Sequence, residues 1–184
     1  MLSHTETAPD FDDPLGLLRA CHGRVTHFAE LALRLADHPS DSAATEAVQQ
    51  AAGKVLRYFD QAAPLHHADE EEDLLPRLRQ RLDDGQASGK LAGLLAGLAD
   101  EHGELHSRWQ ALRPFLVELQ QGRPVAADAF REAAEAFHAA EMDHVNRENT
   151  HLLPAAEAHL TAADREARGR AMAHRRGVRQ NRPD

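Results

Sequence analysis

Two segments of the chain, about 80 residues apart, repeat one polar pattern. Residues 66–76 (HHADEEEDLLP) and 144–154 (HVNRENTHLLP) both read His, three residues, Glu, three residues, Leu-Leu-Pro. On a helix, positions i and i+4 lie on one face, so each segment presents an imidazole nitrogen and a carboxylate oxygen to the same point. Each pair also falls on an apolar stripe. The fold must therefore satisfy polar groups of both segments inside a core.

Composition and helix-boundary residues predict an all-α protein. Ala and Leu dominate, aromatic residues make up only 4% of the chain, and 184 residues fit one domain. Proline, glycine and capping residues predict four long helices and a shorter fifth, near residues 13–37, 41–83, 88–120, 125–160 and 161–175. Pro64 and Pro76 predict kinks or interruptions in the second helix. Short loops favour an up-down-up-down antiparallel four-helix bundle with a short extra C-terminal helix.

We divide the chain into three parts on this basis. Residues 1–12 are predicted to be a flexible N-terminus, residues 13–160 the helical bundle, and residues 161–184 a short helix with a basic tail. Residues 164–184 carry seven arginines, which we interpret as a solvated helix and tail.

Charge and hydropathy exclude several classes of function. The formal net charge of -9 argues against a nucleic-acid or anionic-membrane surface. The acidic N-terminus predicts neither a signal peptide nor an anchor, and no apolar run approaches the roughly 20 residues of a membrane span. We therefore expect a cytoplasmic protein without nucleic-acid or membrane partners; the sequence does not specify a protein partner. The single cysteine, Cys21, excludes an intramolecular disulfide and a thiolate cluster.

Histidine or glutamate interrupts the inner apolar stripe of every long helix. The candidates are His22 on the first helix, His66 and Glu70 on the second, His102 and His106 on the third, and His144 and Glu148 on the fourth. Burying them all without partners would exceed the roughly 5 to 15 kcal/mol by which a domain is stable. Central cations satisfy imidazoles and carboxylates together, and a set without thiolate suits iron, manganese or zinc. If both carboxylates and one further oxygen bridge two octahedral ions, and the five histidines supply one bond each, one of the twelve positions remains open for a small molecule.

Four segments, ACHGRV, HHADEEEDLLP, EHGELH and HVNRENTHLLP, occur in this order on successive helices. They resemble a hemerythrin-like (HHE cation-binding) domain over roughly residues 13–160. The resemblance implies a four-helix bundle that holds a non-haem di-iron centre, two irons joined by an oxo or hydroxo bridge. Carried over residue by residue, it implies that the seven candidates are the iron ligands.

The resemblance also implies a set of functions. The first is binding or sensing of O2, NO or peroxide. Alternatives are a di-iron oxidase or catalase-like enzyme, a protein of iron handling or iron-sulfur cluster repair, and a helical partner-binding domain with a structural metal. In the similar invertebrate oxygen carriers an Asp follows the last His by five residues, whereas here Glu148 follows His144 by four. Simple O2 transport is therefore not the expected role.

Some assignments stay open at this level. His67 and Glu71 also form an i, i+4 pair, but Glu70 precedes Pro76 by six residues just as Glu148 precedes Pro154, which favours His66 and Glu70. His106 can lie on the inner stripe or beside it, because Leu105 competes for that position. Three further residues have expected supporting roles: Glu71 in a solvated acidic face, Trp109 in the core, and Glu141 behind the metal ligands.

Overall fold

The computed structural model describes residues 10–37, 45–83 and 89–178. Within these residues the chain forms five helices and no strand, which confirms the all-α prediction. The helices are α1 (Pro14–Ala36), α2 (46–83), α3 (Gly89–Gln120), α4 (127–159) and α5 (Ala162–Arg175). Each coincides with a predicted helix, although predicted helical residues 41–44 and 88 lie outside the described ranges.

Capping side chains set the starts of three helices. Asp13 accepts a hydrogen bond from the backbone N–H of Gly16 at 3.0 Å, with Pro14 as the first residue of α1. Thr45 caps α2 in the same way. Thr161 and Asp164 form a reciprocal capping box at α5.

Short π-helical turns interrupt α2 and α4 where the sequence contains proline. In α2 the α-helical parts Glu46–Arg57, Ala63–Ala68 and Leu75–Asp83 are joined by π-turns Tyr58–Ala62 and Asp69–Leu74; in α4, Ala127–Arg147 and Leu153–His159 are joined by Glu148–Leu152. A proline follows each π-turn by two residues: Pro64, Pro76 and Pro154. Proline lacks an N–H and its ring collides with the carbonyl four residues earlier, and a wider turn relieves that collision. The predicted interruptions at Pro64 and Pro76 are therefore π-turns through which the helix continues.

The four long helices pack in a closed ring. α1 contacts α2 and α4, and α3 contacts the same two helices from the other side. α5 packs on α1 and on the π-turn Asp69–Leu74. The alternating direction of the four helices stays a prediction.

Two apolar clusters lie on either side of the buried histidines and glutamates. The first cluster includes Val25, Val55, Phe59, Trp109, Leu112, Phe130 and Phe137. The second cluster includes Leu18, Leu74, Leu78, Leu95, Leu98, Leu152 and Met172. Along α1, α2 and α3 the candidate ligands fall between the contributions of the helix to the two clusters. In α4, His144 lies beside Val145 of the first cluster and Glu148 precedes Leu152 of the second, so the polar residues form a layer within the core.

The chain ends are described in part. Residues 1–9 of the predicted flexible N-terminus and residues 179–184 of the predicted basic tail lie outside the described residues. Phe11 packs against the second cluster. Its carbonyl oxygen approaches α5 so closely that a Cβ at Gly169 would lie 1.9 Å from it, so only glycine fits there.

Membrane-spanning segments were also expected to be absent. Throughout the described ranges, no helix combines the length and the apolar character that a bilayer crossing requires.

Candidate metal centre

The polar layer brings together six of the seven candidate ligands from four helices. The six are His22 from α1, His66 and Glu70 from α2, His102 from α3, and His144 and Glu148 from α4; each is at most 5% exposed. The π-turns contribute directly, because Glu70 lies inside the turn Asp69–Leu74 and Glu148 is the first residue of the turn Glu148–Leu152. The repeated sequence pattern thus encodes one local structure twice, a π-turn that carries a buried carboxylate.

The six residues divide into two groups that share both glutamates. The first group is His22, His66, Glu70 and Glu148; the second is Glu70, His102, His144 and Glu148. Within each group, one ligand atom from every residue lies within 4.8 Å of the others. Such spacing fits one cation per group, with the carboxylates between them.

Glu70 directs one oxygen toward each histidine pair. Its Oε1 lies 3.7 Å from Nε2 of His22 and 3.7 Å from Nε2 of His66. Its Oε2 lies 3.5 Å from Nε2 of His102. A carboxylate placed in this way can bridge two cations.

Glu148 has the matching arrangement from the opposite side. Its Oε2 lies 3.1 Å from Nε2 of His22, and its Oε1 lies 3.4 Å from Nε2 of His144 and 3.9 Å from Nε2 of His102. Nε2 of His102 and Nε2 of His144 are 3.2 Å apart. The same ring nitrogen of four histidines therefore faces the two carboxylates.

Hydrogen bonds to the other ring nitrogen fix the orientation of three of these histidines. Nδ1 of His22 donates to Asn149 Oδ1 at 2.7 Å, and Nδ1 of His102 donates to Glu71 Oε1 at 2.6 Å. Nδ1 of His144 donates to Glu101 Oε2 at 3.0 Å. A proton held on Nδ1 leaves Nε2 unprotonated and available as a metal ligand. Glu71, expected to belong only to a solvated face, therefore supports a candidate ligand.

His67 is a seventh residue at the centre that the sequence suggested only as a replacement for His66. It forms a third group with His102 and His144. Its ring stacks on that of His102, with centroids 4.2 Å apart and planes 12° apart. Both consecutive histidines approach the centre because α2 is π-helical before and after them, which changes the 3.6-residue phase.

His106 is the candidate that the structure does not bring to the centre. Its side chain is exposed, and it belongs to none of the three groups found among the described residues. The inner face of α3 continues from His102 through Leu105 and Trp109, both buried. That path takes a three-residue step and then a four-residue step, which turns His106 outward.

The carboxylates at the centre lack hydrogen bonds. In the described part of the chain, both oxygens of Glu70 and of Glu148 are buried and have no hydrogen-bond partner, and the same holds for Nε2 of His22. Each unsatisfied buried group costs roughly 1 to 3 kcal/mol. These atoms converge on shared points, so a cation pair satisfies them together, and the residues present fit that group.

Burial and mutual charge set the protonation of the centre. Burial opposes protonation of His22, but the carboxylates of Glu148 and Glu70 outweigh it and raise the pKa of His22 to about 10. Burial, reinforced by the charge of Glu148, raises the pKa of Glu70, whereas His22 and His144 outweigh burial and lower the pKa of Glu148. Burial lowers the pKa of His67 to about 3, and it also lowers the pKa of His66. Without metal, His66 and His67 are therefore neutral, as metal ligands must be, whereas His22 carries a second proton that metal binding must displace from Nε2.

The donor atoms restrict the kind of metal. All are imidazole nitrogens and carboxylate oxygens. Cys21 is buried next to His22, and its sulfur accepts a hydrogen bond from Arg24 at 2.9 Å. A nitrogen and oxygen set of this kind suits iron, manganese or zinc and not an iron-sulfur cluster.

Comparison with known proteins gives two matches. The family model described as the hemerythrin HHE cation binding domain matches residues 13–156. An uncharacterized protein of Haemophilus influenzae is 36% identical over 109 residues, which cover 59% of this chain and 60% of that protein. The chain thus spans about 60% of the length of this curated relative.

Proposed function

The chain belongs to the hemerythrin family of HHE cation-binding domains, and we propose that it is a non-haem di-iron protein that binds or senses O2, NO or peroxide. The observation that carries the proposal is the placement of Glu70 and Glu148. Each directs one carboxylate oxygen toward one histidine group and the second oxygen toward the other group. Two shared carboxylates of this kind are suited to a pair of cations.

The proposed ligands divide unequally between the two irons. His22 and His66 would serve the first iron, and His102, His144 and His67 the second, with Glu70 and Glu148 shared. An iron pair held by these residues would supply the capacity to bind and reduce a small oxidant. The first group offers one imidazole fewer than the second, so the two irons would differ in their number of protein ligands.

The proposed architecture is the up-down-up-down four-helix bundle over residues 13–160, with the C-terminal helix α5 packed outside it. The order of contributions to the two apolar clusters supports it. α1 and α3 contribute first to the second cluster and later to the first, and α2 and α4 do the reverse. The cytoplasmic location stays a prediction.

Purification without oxygen, followed by iron analysis and absorption spectroscopy, tests the function. We expect about two irons per chain and charge-transfer absorption that changes when O2, NO or peroxide is added. Oxygen evolution from added peroxide would favour the catalase-like alternative. One tightly held zinc per chain, with no spectral response to any of the three molecules, would contradict the proposal and leave a structural metal.

A further inference from the structure

A small cavity between α2, α3 and α4 reaches His67, which groups with His102 and His144. Its volume is about 40 Å³, and its apolar walls include Phe59, Leu105 and Trp109, each at most 5% exposed. A single water needs roughly 10 to 15 Å³ of such space. The cavity therefore holds two or three waters, or one molecule with very few heavy atoms, and it excludes an organic substrate.

The cavity connects the surface with the proposed centre. Pro64 and His106 line it and are exposed, and His67, which groups with His102 and His144, lines it as well. A small molecule can enter past His106 and arrive beside His67. His106 thus has a position at the entrance, although the sequence suggested that it was a ligand.

Glu141 is the acidic group in this cavity wall. It is 3% exposed and makes no hydrogen bond or ion pair that the described residues reveal. The indole N–H of Trp109 does not serve it, because that group donates to Asp60 Oδ1 at 3.0 Å. Phe59 and Phe137 pack edge to face next to Trp109, so the surrounding wall is apolar. The Glu141 carboxyl consequently needs a hydrogen-bonding partner within the cavity.

We propose that this cavity binds hydrogen peroxide on its way to the metal centre, and that Glu141 is the residue that selects peroxide over O2 and NO. The inference rests on the proposed di-iron function and names the ligand of that centre. Peroxide is uncharged, has two heavy atoms, and both donates and accepts hydrogen bonds, so it can replace cavity water without leaving Glu141 unpaired. O2 displaces the same water and leaves the carboxyl unsatisfied, and sites that lose a buried hydrogen bond discriminate strongly.

The protonation of Glu141 agrees with this geometry. Burial raises the pKa of Glu141 to about 8, and the charge of Glu148 acts in the same direction. A neutral carboxyl donates one hydrogen bond and accepts others, which matches peroxide and attracts neither cations nor anions.

Two substitutions at Glu141 test the selection. Glu141→Leu removes the polar group, and Glu141→Gln keeps a hydrogen-bonding group of similar size; Glu135→Gln, at an exposed position of the same helix, is the control. Reaction rates of the iron-loaded proteins with peroxide and with O2 are measured by stopped-flow absorption, with iron content determined for each sample. We expect Glu141→Leu to react with peroxide at least about tenfold more slowly and with O2 within about threefold of the parent. Glu141→Gln and the control should stay within about threefold in both reactions.

The outcomes separate this inference from the proposed function. A parent protein without an iron pair overturns both. An iron-loaded Glu141→Leu variant that reacts with peroxide at the parent rate, or slows equally toward peroxide and O2, overturns the selection by Glu141 alone.

Xenon gives a readout that does not depend on iron chemistry. Crystals of zinc-loaded Glu141→Leu pressurised with xenon should show the atom in this cavity, because apolar cavities of sufficient size accept it. The additional substitution Ala63→Leu, at another residue of the cavity wall, should abolish that peak. Absence of xenon from the cavity of Glu141→Leu would overturn its role as an entry site.

Discussion

Asp69 and Glu70 are consecutive residues on one π-turn, and both have 0% exposure, yet their charges are balanced in different ways. Asp69 is held by two arginines, the last residue of α5 and the residue after it: Arg175 donates to its Oδ1, and Arg176 donates to its Oδ2 at 2.6 Å. Glu70 has no hydrogen bond in the described ranges and faces histidines from three helices. One carboxylate is therefore neutralised by the protein itself, and its neighbour is left for a cation from outside.

The π-turn separates a structural ionic cluster on its outer side from a candidate binding site on its inner side. A buried carboxylate requires a positive partner, because several kcal/mol of desolvation are otherwise uncompensated. α5 provides that partner on the outer side of the π-turn. On the inner side of the π-turn, Arg168 of α5 acts on Glu70 only through its charge, which opposes the rise of the Glu70 pKa. The Arg168 guanidinium makes no hydrogen bond within the described residues. The inner carboxylate thus keeps both oxygens available to metal.

The largest expected effect comes from removing either shared carboxylate. Glu70→Ala and Glu148→Ala should each lose both irons, because each residue contributes to both groups. Loss of tightly bound metal should lower the free energy of unfolding of the iron-loaded protein by more than about 4 kcal/mol. Iron analysis and denaturant unfolding measure the two effects. Two irons retained in both variants would contradict the shared placement of the carboxylates.

A smaller effect is expected on the outer side of the π-turn. Asp69→Asn should lower the free energy of unfolding by about 2 kcal/mol, because Arg175 and Arg176 lose a buried partner but remain partly solvated. Iron content should stay at two per chain. Glu157→Gln, which breaks the exposed pair with Arg19, serves as control and should change stability by less than about 0.5 kcal/mol. Iron loss in Asp69→Asn equal to that in Glu70→Ala would show that the two carboxylates are not functionally separate.

The pH dependence of stability sharpens the same contrast. The pKa of His22 is raised from its ordinary value near 6.5 to about 10. The free energy of unfolding that protonated His22 contributes is therefore complete below pH 6.5 and is lost as the pH rises toward 10. The raised pKa of Glu70 acts in the same direction. We expect the metal-free protein to lose about 2 kcal/mol between pH 6.5 and 10. The iron-loaded protein should change much less, because metal already holds these groups deprotonated. Thermal unfolding of both forms over this pH range is the measurement, and a metal-free stability that increases with pH would refute the assignment.

The smallest effect on iron retention and stability is expected for a substitution at His106, and a substitution at His67 serves as the comparison. His106→Ala should leave two irons per chain and change the free energy of unfolding by less than about 0.5 kcal/mol, because the side chain is exposed. His67→Ala should weaken retention of one iron at least about tenfold, because this residue groups with His102 and His144. Competition with a chelator quantifies both. Iron loss in His106→Ala without loss in His67→Ala would restore the assignment made from the sequence alone.

Local spacing made much of this molecule predictable. The helices and the convergence of six polar residues follow from i, i+4 spacing and from the repeated Leu-Leu-Pro, both of which are short-range features. The sequence offered His67 only as a replacement for His66, because a helical repeat of 3.6 residues cannot show where π-turns change the phase. The exposed position of His106 was not predictable, because a four-residue step from His102 is as consistent with the sequence as the three-residue step to Leu105.

Contacts between distant segments were not predictable in this way. Arg175 and Arg176 were interpreted as part of a solvated helix, but they neutralise Asp69, which lies more than 100 positions earlier in the chain. Glu71 was assigned to a solvated face, but it orients His102 from the neighbouring helix. Neither pairing has a local sequence signal, because it depends on how whole helices pack.

Anomalous diffraction at the iron absorption edge, from crystals of the protein purified without oxygen, shows where the irons lie and which carboxylates bind them. We expect two iron peaks per chain, one beside His22 and His66 and the other beside His102 and His144, with Glu70 and Glu148 each bound to both. A single peak, or two irons that do not share these carboxylates, would contradict it.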